Sequence, residues 1–431
     1  PQRPVMAASG LDPATIFPFP LDDFQLEAIE ALNQGHSVVV SAPTGSGKTL
    51  VGEYAIHRAL AHGQKVFYTT PLKALSNQKL RDFREAYGED NVGLMTGDFS
   101  VNREASIVVM TTEIFRNMLY AEADEHDDPL ADVEAVVLDE CHYMNDSQRG
   151  TVWEESIIHC PPSVQLVALS ATVANAGQLT DWIQKVHGPT TLVLSDYRPV
   201  PLQFSFCSAK GLHPLLNDAG TGLHPNCKVW RAPKGHKRKG RSSKPPQPEP
   251  PPISFVVAQM AERDMLPAIY FIFSRRGCDK AVRDLGIQCL VNKEEQARIR
   301  ARLKAYSSEN PEAVRDGIHA DALLRGIAAH HAGVLPAWKE LIEELLQQGL
   351  VKLVFATETL AAGFNMPART TVIAALSTRT ERGHRPLMGS EFLQMAGRAG
   401  RRGLDSRGYV VTVQSRFEGV REAGQLATSP A

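Results

Sequence analysis

An octapeptide, Ala42-Pro43-Thr44-Gly45-Ser46-Gly47-Lys48-Thr49, stands between the apolar run Val38 to Val40 and a helix-period stretch from Thr49 to Leu60. A strand that turns through glycines straight into a helix opens a βαβ unit, and such units assemble into parallel sheets covered by helices on both faces. The remainder of the chain keeps that rhythm. Short β-branched runs, Val66 to Tyr68, Ile107 to Met110, Val136 to Leu138 and Leu166 to Leu169, alternate with helical stretches. A second series follows with Ala268 to Phe273, Val351 to Phe355, Thr371 to Ala374 and Tyr409 to Val413. The fold class is therefore α/β. At about 150 residues per domain, the 431 residues predict two to three domains and exclude a single core.

Between the two series the composition changes. Residues 219–248 contain no acid, while Lys228, Arg231, Lys234, Lys237, Arg238, Lys239, Arg241 and Lys244 give eight positive charges, and the segment runs out into prolines up to Pro252. Too little apolar surface is available there to offset the cost of ordering, so a linker is expected. It reads equally well as a solubilising tether and as an electrostatic arm for phosphate backbones. The formal net charge of −2 leaves about −10 for everything else. Bulk charge thus gives no signal for a polyanion partner, and any nucleic-acid surface must be a local patch. Hydrophobic residues at 43% and charged residues at 22% exclude a chain disordered throughout. Six cysteines without a C-x-x-C pair suit a reducing compartment. No run approaches the roughly 18 apolar residues of a membrane span, so no membrane partner is expected and a cytoplasmic location is.

The octapeptide carries the first chemistry. Glycines let backbone N–H groups converge on phosphate oxygens at a helix N-terminus, Lys48 neutralises the β- and γ-phosphates, and Thr49 offers a hydroxyl to Mg²⁺. The strict pattern has Gly where this chain has Ala42. A loop of this kind needs carboxylates for metal and water, and Val136-Val137-Leu138-Asp139-Glu140-Cys141-His142 supplies them at the end of an apolar strand. Asp139 is the candidate Mg²⁺ ligand and Glu140 the residue that orients the attacking water. The third element is Gln394-Met395-Ala396-Gly397-Arg398-Ala399-Gly400-Arg401-Arg402-Gly403. Arginines there can stabilise charge on a transferred phosphate, and the intervening glycine is expected to let the backbone approach a ligand.

Together these elements resemble the superfamily 2 helicases of the DExH class, in order and in spacing. Phe19 and Phe24-Gln25 are similar to an adenine-reading segment, Thr70-Pro71-Leu72-Lys73-Ala74-Leu75 to motif Ia, Thr96-Gly97-Asp98 to motif Ib, and Ser170-Ala171-Thr172 to motif III. Thr111-Thr112-Glu113, Phe273-Ser274-Arg275, His330-His331-Ala332-Gly333 and the stretch from Ala356 to Pro367 complete the set. Asp139-Glu140-Cys141-His142-Tyr143-Met144, Trp153-Glu154-Glu155 and Tyr197-Arg198-Pro199-Val200-Pro201-Leu202 most resemble the superkiller and exosome-cofactor branch of RNA helicases, nearest its cyanobacterial and plastid members. The resemblance covers the chain except the basic linker.

It implies two tandem RecA-like domains, each a mostly parallel sheet covered by helices, with ATP in the cleft between them and single-stranded RNA across their tops. The expected boundaries are 1–205 for the first domain, 206–254 for an interdomain hairpin and the linker, and 255–431 for the second. Carried over by position, Phe19 stacks on adenine and Gln25 reads its polar edge. Thr44, Gly45, Ser46, Gly47, Lys48 and Thr49 bind phosphates and Mg²⁺. Asp139 and Glu140 serve metal and water, Gln394, Arg398 and Arg401 act from the second domain, and Gly363 and Asn365 border the nucleotide. Pro71, Lys73, Thr96, Gly97, Thr112, Ser274, His331 and Thr357 meet the RNA backbone, although threonines and serines at strand ends also cap helices.

The resemblance implies an ATP-dependent RNA helicase or translocase core moving 3′ to 5′ as a monomer. Its partners are single-stranded or tailed RNA and RNA-decay or ribosome-associated proteins, in the cytoplasm, or in the stroma for a plastid protein. A DNA helicase of the related repair branch and an ATP-gated RNA clamp without strand separation remain as rivals, because phosphate contacts do not tell RNA from DNA. Gln414 to Ala431 are too few for another packed domain, so the chain is expected to be part of a longer motor. Cys207, His213, His224 and Cys227 can be drawn as a zinc site, but their spacing is loose. An interdomain hairpin with incidental Cys and His is the preferred reading, with Mg²⁺ the sole metal expected.

Overall fold

The computed structural model describes residues 11–429 except 98, 121–128, 143–149, 174, 228–247, 311–316, 358–366 and 381–382. The chain divides between Arg198 and Pro199 into two compact units.

The first unit is built on eight strands: β1 Ser37–Ser41, β2 Lys65–Thr70, β3 Val92–Met95, β4 Ser100–Val101, β5 Ile107–Thr111, β6 Val133–Leu138, β7 Gln165–Ser170 and β8 Thr190–Leu194. Their order across the sheet is β4-β3-β5-β2-β6-β7-β1-β8, and only the short β4 runs antiparallel to its neighbour. A parallel strand covered on both faces has no solvent side, which is why β1, β5 and β6 are buried along their whole length. Alternate residues serve opposite faces. Val38 and Val40 of β1 join a core with Tyr54, Ile56 and Val137, while Val39 joins one with Phe115, Trp153 and Ile157.

The second unit repeats the plan with β9 Leu202–Ser208, β10 Gly211–Pro214, β11 Ala268–Phe271, β12 Ile327–His330, β13 Leu353–Ala356, β14 Thr370–Ile373 and, after a small hairpin of β15 Ser377–Thr380 with β16 Gly383–Pro386, β17 Gly408–Val413. The seven-stranded order is β10-β9-β17-β14-β11-β13-β12, parallel but for β10. Ile269 and Phe271 face one core with Trp338 and Phe392, and Ala268 and Tyr270 face the other with Val257 and Met260.

One boundary is corrected. The first domain was expected to reach residue 205, with an interdomain hairpin and linker over 206–254. Instead β9 lies in the second unit's sheet, running parallel to β17 from Leu202 opposite Gly408 to Cys207 opposite Val413, and β10 pairs back on it. The hairpin therefore belongs to the second unit. A strand near a sheet edge carries half-exposed polar residues such as Gln203, so it lacks the continuous apolar run that marks β1 or β6. Residues Lys228 to Lys244 of the basic linker lie outside the described residues.

Candidate functional site

β1 delivers the chain into the loop 42–48, and the helix Thr49–Ala61 carries it away. Gly45 and Gly47 have φ of +83° and +91°, a region where a Cβ is strained. The loop thereby curls over the start of the helix, where N–H groups without helical partners attract anions. Ala42 is not among the residues of positive φ, and its N–H donates to Ser170 O at 3.2 Å. The departure from the strict glycine pattern thus carries no backbone strain. Lys48 is buried beside the helix start, with Ser46 buried behind it.

Two contacts brace this loop, and neither was visible in the sequence. Gln25 Nε2 donates to Gly47 O at 2.9 Å while its Oε1 accepts from Asp22 N at 2.9 Å. Its amide thus ties the helix Asp23–Asn33 to the loop, besides the adenine-reading role the resemblance implies. From the other side Arg198 Nη1 donates to Thr44 O. Burial pushes the Arg198 guanidinium down to about 10, still protonated at neutral pH. Phe19 is 51% exposed, its ring 6.0 Å from that of Phe17, and offers an open face.

Parallel β6 lies two positions from β1 in the same sheet, so Asp139 and Glu140 leave it at the sheet edge where the glycine loop begins. Ligands in open parallel sheets bind at this carboxyl edge. Asp139 is almost fully buried. Its Oδ2 accepts from Tyr68 OH at 2.7 Å and its Oδ1 from Glu140 N at 2.9 Å. Burial and the Glu140 charge raise its pKa against the pull of Lys79, Tyr68 and Lys48. Such a carboxylate, held in place by neutral donors and short of positive charge, fits a divalent cation with oxygen ligands. Thr49, first residue of the helix, is the candidate hydroxyl ligand. Glu140 has φ +54°, a strained conformation for a residue with a Cβ and one found at functional sites. His142 Nδ1 lies 3.3 Å from the Ala171 amide and 3.4 Å from Glu140 Oε2. One ring nitrogen can accept from the first or donate to the second, so the tautomer of His142 decides whether it holds Ala171 or Glu140.

In the second unit Gln394 lies on the helix Gly389–Ala396, and Arg398 and Arg401 follow it. The glycine between the arginines, expected to let the backbone approach a ligand, has a packing requirement of its own. Gly400 has φ +84°, and a Cβ there would meet Val200 Cγ1 at 2.5 Å and Gly408 Cα at 3.1 Å. Its smallness lets the loop pack on its own unit. Arg401 is likewise engaged at home: its Nε donates to Asp405 Oδ2 at 2.7 Å and its Nη2 to Oδ1 at 2.9 Å. Gly363 and Asn365 lie outside the described residues.

Residues 22–179 match the family model described as DEAD/DEAH box helicase. The chain carries a DEAD/DEAH box helicase domain. It is 48% identical over 450 residues to a DExH-box ATP-dependent RNA helicase, DExH15 chloroplastic, of Arabidopsis thaliana, covering 96% of this chain and 38% of that protein. With the probable helicase HelY of Mycobacterium tuberculosis it shares 45% identity over 92% of this chain and 46% of the relative. With the exosome RNA helicase MTR4 of Mus musculus the identity is 41%, over 92% and 39%. The chain thus spans about two-fifths of the length of these relatives.

The residues assigned to RNA fall into two groups. Lys73, at the start of the helix Lys73–Tyr87, is exposed, and its Nζ lies 3.8 Å from where a Gly97 Cβ would stand. Lys73, Thr96 and Gly97 therefore form one open patch, with exposed Phe99 closing the Thr96 turn through Phe99 O. Pro71 is buried beneath it. Others are turned inward. Thr112 is buried and its hydroxyl donates to Thr70 O at 3.2 Å. Ser274 caps the helix Arg275–Asp284, its Oγ accepting from Gly277 N at 3.1 Å, while remaining exposed. His331 is buried, with Nδ1 accepting from Gly333 N at 3.1 Å and Nε2 2.9 Å from Asp279 Oδ1. One ring nitrogen thus closes the turn and the other meets the helix Arg275–Asp284; the RNA-backbone contact implied for His331 is a proposal. Thr357, half-buried, follows β13. Of the zinc candidates, Cys207 is buried in a hydrophobic core and Cys227 Sγ donates to Pro214 O at 3.0 Å. Among the described residues no three His, Cys, Asp or Glu side chains gather as metal ligands, and no helix is long and apolar enough to cross a membrane.

Proposed function

We propose that this chain is the ATP-hydrolysing core of an RNA helicase, moving 3′ to 5′ on single-stranded RNA. The observation that supports it most is the convergence at one sheet edge of the loop ending in Lys48 with buried Asp139 and strained Glu140. A helix start with an adjacent lysine holds a polyphosphate by backbone N–H groups and a point charge. Phe19 stacks on the base, with Gln25 at the junction of base and loop. Thr49 and Asp139 would hold Mg²⁺, which would supply charge neutralisation at the phosphate. Glu140 holds the attacking water in line and accepts its proton. Gln394, Arg398 and Arg401 stabilise the charge that develops on the transferred phosphate. Lys73, Thr96 and Gly97 grip the nucleic-acid backbone without reading sequence, as a translocase requires.

RNA as the substrate rests on the names of the relatives, and so does the proposal of RNA-decay proteins as partners and of a plastid or cytoplasmic site of action. Strand displacement on 3′-tailed and 5′-tailed duplexes of RNA and of DNA is the test. Little displacement is expected from residues 1–431 alone, confined to 3′-tailed RNA, and more from a longer chain. Preference for DNA would move the chain to the repair branch, and ATP-dependent RNA retention with no displacement on any duplex would make it a clamp.

A further inference from the structure

We propose that Asp405 is a positioning residue for Arg401, and that Arg369 anchors this carboxylate to the turn at Asp264. The inference rests on the reading that Arg401 acts on the nucleotide phosphates, and it assigns the group that sets its pose.

Asp405 has a side chain with no exposed surface, yet it serves two arginines. Its Oδ2 accepts from Arg401 N at 3.0 Å and Arg401 Nε at 2.7 Å, and its Oδ1 from Arg401 Nη2 and Arg369 Nε, each at 2.9 Å. Four donors on two oxygens saturate a carboxylate. Two of them hold the Nε and Nη2 edge of Arg401 side-on, which fixes the plane of the guanidinium. Nη1 at the far tip makes no hydrogen bond among the described residues. An arginine held by one edge presents the other, so this contact aims the group and leaves it able to bind an anion.

The loop is locked from the main chain as well. Leu404 N and Asp405 N both donate to Arg401 O, at 3.1 and 2.9 Å, a single turn made possible by Gly403 at φ +78°. Arg369 joins this turn to the rest of the unit. Beyond its Nε contact, its Nη1 donates to Asp264 O and Asp264 Oδ2, each at 2.7 Å, and Asp264 sits at φ +53° just ahead of β11. Ala368, its neighbour, donates to Arg398 O at 3.0 Å and accepts from Gly400 N at 2.7 Å. The segment before β14 is thus laced to both ends of the Arg398–Arg401 loop. Burial alone pushes the Asp405 carboxyl up, but the hydrogen bonds from Arg401 and Arg369 outweigh it and hold it down to about 2. The clamp is ionised throughout the physiological range. A buried ion pair is a poor source of net stability, because desolvation consumes most of the attraction. Fixed geometry is what this arrangement provides, and a displacement of about 1 Å at a phosphate-handling group can cost on the order of a hundredfold in rate.

The test is a double-mutant cycle on the full chain. Asp405→Asn, near in shape but uncharged, should lower ATP turnover by about tenfold to a hundredfold while affinity for a fluorescent ATP analogue stays within about threefold. Added to Arg401→Ala it should produce no further loss of turnover, because it acts through that residue. Arg369→Gln leaves the Arg401–Asp405 pair in place and should give a smaller loss, again absent on the Arg401→Ala background. If Asp405→Asn fails to fold, the Arg369→Gln cycle decides alone. Losses that add to that of Arg401→Ala would mean a merely structural role and overturn the proposal, as would retained turnover in both variants. Raised turnover would overturn it too, by making Asp405 a competitor of phosphate. An inert Arg401→Ala would remove the underlying reading of Arg401 as well, and so is distinguishable from failure of the positioning role alone.

Discussion

The glycine loop of the first unit and the arginine loop of the second are both short turns that carry cations, and they are built by opposite means. The first is shaped by backbone: Gly45 and Gly47 take left-handed φ, and Gln25 and Arg198 brace carbonyls of the loop. Among the described residues Lys48 has no carboxylate within ion-pair distance. The second is shaped by charge, with Arg401 paired to a carboxylate that has no exposed surface. A cation that must hold the ground-state nucleotide keeps its charge unspent. One engaged only as charge develops can be held by a counter-ion, provided one edge stays open.

That contrast breaks most easily at the first loop. Lys48→Ala or Glu140→Gln should reduce ATP turnover by about a thousandfold or to background, since each removes a group acting directly on phosphate or water. RNA binding, proposed for the open patch of Lys73, Thr96 and Gly97, should persist. Steady-state ATPase rates with and without poly-U, beside RNA binding isotherms, are the measurement. Turnover retained in either variant would end the assignment of this edge as the hydrolytic site.

The second loop should answer differently. Arg398→Ala or Arg401→Ala is expected to lower turnover by about a hundredfold with ATP affinity nearly unchanged, because a residue engaged in the transition state contributes little to ground-state binding. Equal losses in turnover and affinity would make these arginines plain binding residues, and the two loops would then be alike.

Arg198 sharpens the comparison within the first unit. Its guanidinium holds Thr44 O, so Arg198→Ala should leave that carbonyl without its buried donor, worth about 1–3 kcal/mol, and loosen the loop before any nucleotide arrives. Weaker binding of an ATP analogue, by about tenfold, with a smaller effect on turnover at saturation is the expected outcome. Arg198→Lys should restore it only in part, since an ammonium lacks the planar fork. Unaltered affinity in Arg198→Ala would mean that the glycines alone shape the loop.

How much of this was legible in the sequence follows from how each feature is encoded. The phosphate loop and Asp139-Glu140 are runs of neighbouring residues between a fully buried strand and a helix, so their chemistry and their place in the fold are written locally. Their supports are not. Thr44 and Arg198 are 154 residues apart and Tyr68 and Asp139 are 71 apart, and only the strand order of the sheet brings them together. Asp405 stands four residues from Arg401, within sight in the sequence, but nothing there says that its carboxylate is buried or that Arg369 shares it. The packing requirement at Gly400 is hidden for a related reason. A glycine beside arginines suits a ligand or a tight packing contact, and the partner that decides, Val200, comes from a different part of the chain. Strand β9, near a sheet edge, carries polar residues and so lacks the apolar run that marks a central strand.

The carboxylates behind the two loops give the finest test, because their linkage to pH has opposite sign. Asp405 titrates at about 2 in the folded chain and at about 3.9 when unfolded. Its contribution to stability is therefore complete above about pH 5 and is lost as the pH falls from about 4 toward 2. Asp139 is raised by burial and by Glu140, so the folded state holds its proton more tightly than the unfolded one, and the penalty is felt at neutral pH and relieved on acidification. Asp405→Asn should accordingly be less stable than the parent at pH 7 and show a flatter decline between pH 5 and pH 3. Asp139→Asn should be more stable at pH 7, with the advantage shrinking as the pH falls. The Asp405→Asn difference should be on the order of 1 kcal/mol, and the sign of each difference is read from urea midpoints across that range. Asp139→Asn less stable than the parent at neutral pH would show that its hydrogen bond from Tyr68 outweighs its burial beside Glu140, and the first loop would then rest on a carboxylate as a structural element just as the second does.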